Sequence, residues 1–502
     1  MAELVEPGST TRVPPAARRG PSRLMRFIGI AAATVVALDL GISVGIGMTS
    51  QAAQRLVSIT GMMVYFVITV VSPFTGLLVW LVLYPFSETT LNIPLGSGAT
   101  SLSPTRLMLS FLAIMLVAQT SIRKRPLPRL SHLDFWGLLF IGGLGLSAAA
   151  SASPRAAIQI VLDNFLAPLG FYFLAKHLVT NRRELELLLS ALLVIGGYSA
   201  FLAIHEQVTG VVWFLPNSTG VAFYSPGGIR VLQSLWGINA VFGSIFALVI
   251  PIAFYRLIES RSPPARLGYV LLNAVFLLAM FLSYKRAAWV AMFISLGILF
   301  VLFAASRRVL IMALVIAAIP VAALWPKIAA RSLIEERIMY QADTLNGRTT
   351  RWQVAVELWR QNPIFGVGFG NFSVLSRFAA IENSFLDILV SGGLVAFVPF
   401  LMFWLLILRD AFLLYIRGPS RPGVFVDRPI MAAFLAAIST YVAIGLTYVY
   451  PSAINHMFCV LIGAVVASQA EAVRRRGLQA REGLAAAVTS APGSQAPQQQ
   501  MR

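Results

Sequence analysis

Charge is scarce in this chain, and much that charge usually builds is absent with it. Only 12% of the 502 residues are charged, and the 20 Asp and Glu are outnumbered by 39 Lys and Arg. A water-soluble domain carries about a quarter charged residues and breaks its apolar runs at regular intervals. One cysteine, Cys459, lies inside an apolar run, so a disulfide framework and a cysteine zinc site are both excluded. "GVGFG" at 366–370 has no strand before it and no βαβ unit around it, so a dinucleotide fingerprint is excluded too.

Apolar residues fill the space that charge leaves. They make up 58% of the chain, and the mean hydropathy is +0.78. Apolar runs of about 18–22 residues recur, the length that crosses ~30 Å of hydrocarbon as a helix. The fold class is therefore all-α and polytopic, with spans predicted near 27–48, 55–71, 74–88, 104–120, 134–150, 157–178, 185–205, 233–257, 267–283, 287–303, 307–325, 382–408, 429–449 and 453–470. These are fourteen spans of a transmembrane domain over 27–470, flanked by a basic cytoplasmic tail at 1–26 and a cytoplasmic tail at 471–502, both expected to be disordered.

Residues 55–88 also fit one long helix broken at Pro73; loop charge decides between the readings. With fourteen spans and both termini cytoplasmic, the basic loops "IRKRPLPR", "NRRE" and "RLIESRSPPAR" all fall inside, as positive-inside bias requires. The net charge of +19 thus reads as cytoplasmic loops facing membrane lipid, with no nucleic acid as partner. Segments 206–232 and 326–381 then lie outside, together with Arg155 and the pair Lys285–Arg286. Arginines on the outer side are the exceptions to the rule, so the outer face is the predicted address of function.

"NGRTTRWQVAVELWRQNP" (346–363) is the most polar part of that face. Asn346–Gly347 signals a turn, and Thr350 with Gln353 fits a capping box opening a helix that stops at Pro363. Trp352, Ala355, Val356, Leu358 and Trp359 share one face of it, the pattern of a helix at the membrane surface. Arg351 falls inside that face and in the predicted first turn, where it and Arg348 suit an anion, above all a phosphate. The structural alternative is snorkelling to headgroups, or pairing with a carboxylate such as Asp343. The glycines of "GVGFG" have a steric role in this reading, letting backbone pass close to a helix or ligand.

These residues resemble the signature of the O-antigen ligase and Wzy-type polysaccharide polymerase family. Gly347, Arg348, Trp352, Ala355, Pro363, Gly366, Gly368, Gly370 and Phe372 fit its pattern, and Asn383 and Gly393 keep its final spacing. "SYKRAAWVA" (283–291) is similar to the family's S-x-S-R element, and Arg230, Asn239 and Gly243 to its element after the first outer loop. The resemblance covers about 200–410. It implies a GT-C-like membrane glycosyltransferase that takes glycan from undecaprenyl pyrophosphate on the outer face of the bacterial cytoplasmic membrane. One departure is Glu382, where ligases usually carry His, and it favours polymerisation of repeat units over ligation to a terminal acceptor.

Such transfer needs the leaving pyrophosphate neutralised and the acceptor hydroxyl deprotonated. Arg286 and Arg348 are the candidates for the first task, with Arg351, Arg230 and Lys285 binding substrate and Arg155 behind them. Glu382 is the candidate base, its pKa raised by partial burial; its structural alternative is a cap on the following helix. Asn383 and Asp387 form a candidate polar pair one turn apart, and Trp352 and Asn239 complete the substrate-binding set. The outer loops show no D-x-D pair or His cluster, so the expected mechanism is metal-independent and needs no cofactor. Asp163 with Asn164 and His205 with Glu206 are further candidates, the histidine equally suited to an ordinary interfacial role. Asp39 has no assigned role, and His456 reads as a packing residue. A chain-length regulator and a flippase are the expected protein partners. The rival class is a secondary transporter, which would show internal repeats and polar residues at mid-membrane.

Overall fold

Prolines and capping side chains set the helix limits in the computed structural model, which describes residues 51–90, 103–122, 130–213, 232–312, 333–378, 380–417, 427–448 and 454–468. The helices are α1 (Gln51–Val71), α2 (Pro73–Thr90), α3 (Pro104–Ile122), α4 (His132–Ala149), α5 (Pro154–Leu178), α6 (Arg182–Thr209), α7 (Asn239–Glu259), α8 (Pro263–Leu282), α9 (Arg286–Leu302), α10 (Leu333–Gln361), α11 (Phe372–Leu375), α12 (Ser384–Arg417), α13 (Arg428–Gly445) and α14 (Ile454–Ser468). Pro154 and Pro263 occupy first-turn positions, where a missing N–H costs nothing. Ser131, Asn181 and Asp427 cap α4, α6 and α13 through their side chains.

Eight of the described helices, namely α3 to α8, α12 and α13, are long and apolar enough to cross a membrane. Four shorter apolar helices accompany them: Ile59–Val71, Pro73–Ser87, Arg286–Leu302 and Ile454–Ser468. The chain is thus an all-helical, multi-pass membrane protein. α1 and α2 are separate helices, and Gly61 of the first faces Leu83 of the second, so the chain folds back at Ser72. α7 is the axis of the bundle: its residues from Ala240 to Tyr255 are all buried, wrapped by α6, α8, α9 and α13. The span expected at 233–257 begins later, at Asn239, because residues 232–238 are irregular. The spans at 27–48 and most of 307–325, Asp39 and both tails lie outside the described residues.

α5 carries a π-helical segment, Leu162–Leu166. Such wide turns displace carbonyls from their usual partners. Here Asn455 donates to the Asn164 carbonyl at 2.7 Å, and the Tyr441 hydroxyl donates to Asn455 Oδ1 at 2.8 Å. Asp163, in the same segment, is held by both arms of Arg106 at 2.7 and 2.8 Å. The Asp163 carboxylate thus ties α3 to α5, and the Asn164 backbone carbonyl, through Asn455 and Tyr441, ties α5 to α14 and α13.

Candidate active site

One end of the bundle collects the ends of α6, α8 and α13 and the starts of α7, α9 and α12, with α10 packed against the start of α12. The sequence singles out α10 for its arginines, and its true extent corrects the prediction. The helix runs from Leu333 to Gln361, with Thr350 deep inside it. No capping box opens at Thr350, and Arg351 is not in a first turn, so the helix-terminus anion site does not form. Asn346–Gly347 is a weak turn signal between good helix formers; a glycine inside a helix costs only about 1 kcal/mol.

The apolar face of α10 survives, but protein rather than headgroups covers it. Ala355, Phe372, Ile381 and Val390 are buried together, with Trp352, Leu358 and Trp359 packed on them, while Gln353, Glu357 and Arg360 remain exposed. The Trp352 indole N–H donates to the Ile381 carbonyl at 3.1 Å. This bond fixes the residue just before Glu382. Arg348 Nε lies 2.9 Å from Glu382 Oε2, and Arg351 Nη1 lies 2.8 Å from Glu382 Oε1. One carboxylate is therefore shared by two guanidinium groups.

That sharing reverses the expected pKa. Burial alone would raise the Glu382 carboxyl, but hydrogen bonds from Arg351 and Arg348 outweigh it and hold the group below the ordinary range. Lys285 stands beside this cluster with its Nζ 4.5 Å from the centre of the Tyr448 ring. Burial pushes the Lys285 amine down; Glu382 opposes that shift, and Arg348 and Arg286 reinforce it. Burial and the Glu382 charge both raise the Tyr448 hydroxyl. Arg286 is exposed at the first position of α9. Arg351 and Arg377 both lie over the Phe378 ring, at 5.8 and 5.3 Å.

Three non-glycine residues have positive φ among those described, and all sit at this end: Leu235 (59°), Tyr284 (51°) and Glu382 (58°). Each costs about 1–3 kcal/mol unless its surroundings over-determine it. Leu235 is fixed by Glu206, whose buried carboxylate accepts from the backbone N–H of Gln233 and Ser234. Glu206 is thus a backbone clamp, and His205 lies against the Trp213 ring, 4.0 Å between centres. Tyr284 belongs to the tight α8–α9 turn, against which Gly243 of α7 packs so closely that a Cβ there would meet Lys285 Cβ at 3.1 Å. Asn239 opens α7 one turn nearer the same end.

The expected Asn383–Asp387 side-chain pair gives way to a cap. Asn383 Oδ1 accepts from the N–H of Phe385 and Leu386, both at 3.0 Å, so Asn383 rather than Glu382 starts α12. Asp387 turns to Ser391, one turn further on.

The glycine loop has a definite partner. α12 breaks at Gly393 (φ 59°, ψ −165°), which strands two carbonyls above the break and two N–H groups below it. Val367 and Gly368 donate to the carbonyls of Val390 and Ser391 at 2.9 and 3.1 Å. Leu394 and Val395 donate to the carbonyls of Pro363 and Ile364 at 3.0 and 3.1 Å. A Cβ at Gly366 would stand 2.5 Å from the Val390 and Ser391 oxygens, and one at Gly393 would strike the Ile364 carbonyl. Asn371 then ties the loop to the α4–α5 hairpin, its Oδ1 accepting from Ser151 Oγ and Ala152 N. The steric reading of "GVGFG" holds, and the loop seals a broken helix below Glu382.

The structure therefore brings Arg348, Arg351, Lys285 and Glu382 together, with Arg286 beside them. Arg230 lies outside the described residues. Tyr448, Arg377 and Phe378 join the cluster without having been singled out from the sequence: one closes an aromatic-rich span end, and the other two sit in a loop with no periodic pattern.

Residues 271–401 match the family described as O-antigen ligase, so the chain carries a domain of that type from α8 into α12. No curated protein matches the chain. A chain of a solved peptidoglycan synthase complex is similar over 69% of this chain and 99% of its own length, with 18% identity and a TM-score of 0.41, too distant a likeness to bear on function.

Proposed function

We propose that this O-antigen-ligase-type membrane protein polymerises polyprenyl-pyrophosphate-linked oligosaccharide at the Glu382 cluster, on the outer face of the cytoplasmic membrane. The observation that carries the reading is the pairing of Arg348 and Arg351 with one shared carboxylate, with Lys285 and Arg286 adjoining. Four cations around one anion make a site with positive charge to spare, and guanidinium forks match phosphate oxygens. Each guanidinium has five N–H donors, more than Glu382 can use.

In the transfer, the acceptor hydroxyl oxygen attacks the anomeric carbon of the donor sugar. The bond from that carbon to the phosphate oxygen breaks, and the pyrophosphate leaves with the electron pair. The hydroxyl proton passes to Glu382. A single displacement of this kind inverts the anomeric centre, and the cations rather than a metal take up the leaving charge. In the resting site Glu382 is a weak base, because both arginines stabilise its ionised form. Pyrophosphate arriving at Arg348 and Arg351 draws them off and raises the basicity of Glu382 at the moment it is needed.

The test is chain elongation in proteoliposomes, followed by gel, with Arg286→Ala, Arg348→Ala and Glu382→Gln made singly. Glu382→Gln is expected to lower kcat by about 10²-fold or more, the usual worth of a positioned base. Undiminished long polymer from all three variants, at normal expression, overturns the site. The ligase reading, which the matched family's description favours, differs in what accumulates after gene deletion. Loss of a polymerase leaves single repeat units on the carrier, whereas loss of a ligase leaves long polymer there.

A further inference from the structure

A segment that the sequence places wholly outside the membrane dips back below its edge. Depth can be read from α4, a candidate span of only 18 residues. At 1.5 Å per residue such a helix is ~27 Å long, with nothing to spare against ~30 Å of hydrocarbon. Its end at Ala149 therefore marks the edge of the hydrocarbon on the Glu382 side. α12 runs antiparallel beside α4 and takes its scale from it. Ser147 Oγ donates to the Ser391 carbonyl at 2.5 Å, and a Cβ on Gly143 would stand 2.8 Å from the Val395 oxygen. Val395 is thus level with Gly143, six positions before Ala149, or ~9 Å below the edge.

The 363–368 loop is bonded to α12 at that depth, with the Val395 N–H on the Ile364 carbonyl and the Val367 and Gly368 N–H groups on Val390 and Ser391. Irregular backbone persists in hydrocarbon only where its polar groups are paired, and this loop pairs them. Beyond the bonds to α12, the Gly366 N–H donates to the Asn362 carbonyl at 2.8 Å, and the Val367 carbonyl accepts from Asn371 Nδ2 at 2.7 Å. The side chains at the tip are nonetheless uncovered: Ile364 is 56% exposed and Phe365 59%. Asn371 Oδ1 then accepts from Ser151 and Ala152, just past the end of α4, so the chain is back at the edge where α11 begins. Val374 and Leu375 are exposed there, and the exposed Arg360 and Arg377 bracket the segment. An apolar tip, a mixed rim and flanking cations follow the order of a leaflet from hydrocarbon to headgroup.

We propose that residues 363–375 form a re-entrant anchor, with Ile364 and Phe365 in the hydrocarbon of the leaflet on the Glu382 side and Val374 and Leu375 at its surface. The partner is the lipid leaflet. The anchor joins α10, which carries Arg348 and Arg351, to α12, which Glu382 precedes, so its depth sets the height of the charged cluster. On the same scale Ser384, where α12 starts, is ~8 Å above the edge, which puts Glu382 at the outer limit of the headgroups. The anchor holds whatever the cluster transfers and does not rest on the function proposed above.

The test uses full-length protein in nanodiscs, with Cys459→Ala removing the one native cysteine and single cysteines carrying a nitroxide label. Phe365→Cys reads the tip. Leu146→Cys, exposed on α4 near Ala149, is the lipid control, and Gln353→Cys on the exposed polar face of α10 is the aqueous one. The ratio of collisions with oxygen to collisions with a nickel chelate is expected to match at 365 and 146. It should exceed the ratio at 353 by about tenfold or more, because the polar chelate is excluded from hydrocarbon. Val374→Cys, at the rim, should fall between. A tip as open to nickel as Gln353→Cys overturns the anchor and leaves a loop that faces water. A tip closed to both reagents overturns it too, and points to a second protein covering the loop. Ile364→Cys reads the same tip, with the same two overturning results, should Phe365→Cys fail to fold.

Discussion

The two ends of the bundle handle charge in opposite ways. At the end away from Glu382, each of three buried carboxylates has a basic partner that belongs to the fold. Asp134 takes Lys176 and the Tyr172 hydroxyl. Asp427, fully buried, takes Arg182, which also reaches Glu186 and the Tyr255 hydroxyl. Asp410 takes Arg409 and His132. Asp134 and Asp427 also cap helix starts, so each charge there serves the fold. At the other end one carboxylate faces two direct guanidinium partners with further cations close by, and the backbone holds three strained residues. That surplus of positive charge is what the proposed pyrophosphate site requires.

Variants at the two ends should fail differently. The double change Arg348→Ala with Arg351→Ala is expected to cut kcat/KM by about 10³-fold while the purified protein keeps its thermal midpoint, since a desolvated donor to a developing charge is worth about 10²–10³ alone. A parallel fall in thermal midpoint would mean these arginines only hold the fold. At the opposite end, Asp427→Ala is expected to destabilise by about 3 kcal/mol, because it takes one of two carboxylates from the largely buried Arg182 and the side-chain cap from α13. Protein that survives purification should turn over normally, and loss of kcat beyond loss of folded protein would erase the distinction between the ends. Gly393→Ala falls between the classes. It should lower the thermal midpoint, costing about 2 kcal/mol through positive φ and the clash with the loop. Activity should fall with it, as the loop seats the start of α12.

The smallest effect concerns acid. The Glu382 pKa is depressed in the folded state, so its stabilisation is complete above the ordinary glutamate pKa near 4.5 and is lost as pH falls through the lower folded value. Thermal midpoints of wild type and Glu382→Gln should therefore converge as pH falls below the depressed folded value and differ by under ~1 kcal/mol at neutrality. A gap that widens in acid would contradict the depressed pKa.

The contrast between the ends also marks what the sequence makes legible. Helices such as α6 and α7 follow from run length alone, and Pro154 and Pro263 fix where α5 and α8 begin. Arg348, Arg351, Lys285 and Glu382 stand out because cations are rare in oily surroundings, and they do come together. What escapes is pairing between distant segments. Nothing near Glu382 in sequence shows that Trp352 grips Ile381, or that two arginines will depress the pKa that burial alone would raise. Asn346–Gly347 points to a helix start that α10 does not have, because it is a local signal and the helix continuing on both sides outweighs it. Gly393 shows the same limit: its spacing was visible, but the broken helix and its four hydrogen bonds to the 363–368 loop were not.

The shared carboxylate has a last consequence, for turnover rather than attraction. A pocket of cations alone would hold a spent pyrophosphate as firmly as a fresh one and stall on its own product. Glu382 is a tethered competitor for the same guanidinium forks, always at hand and never diffusing away. On the function proposed above, once Glu382 has shed the acceptor's proton the carboxylate can take back Arg348 and Arg351. In the proposed reaction, the residue that weakens the empty site for its substrate is thus also the one that clears it.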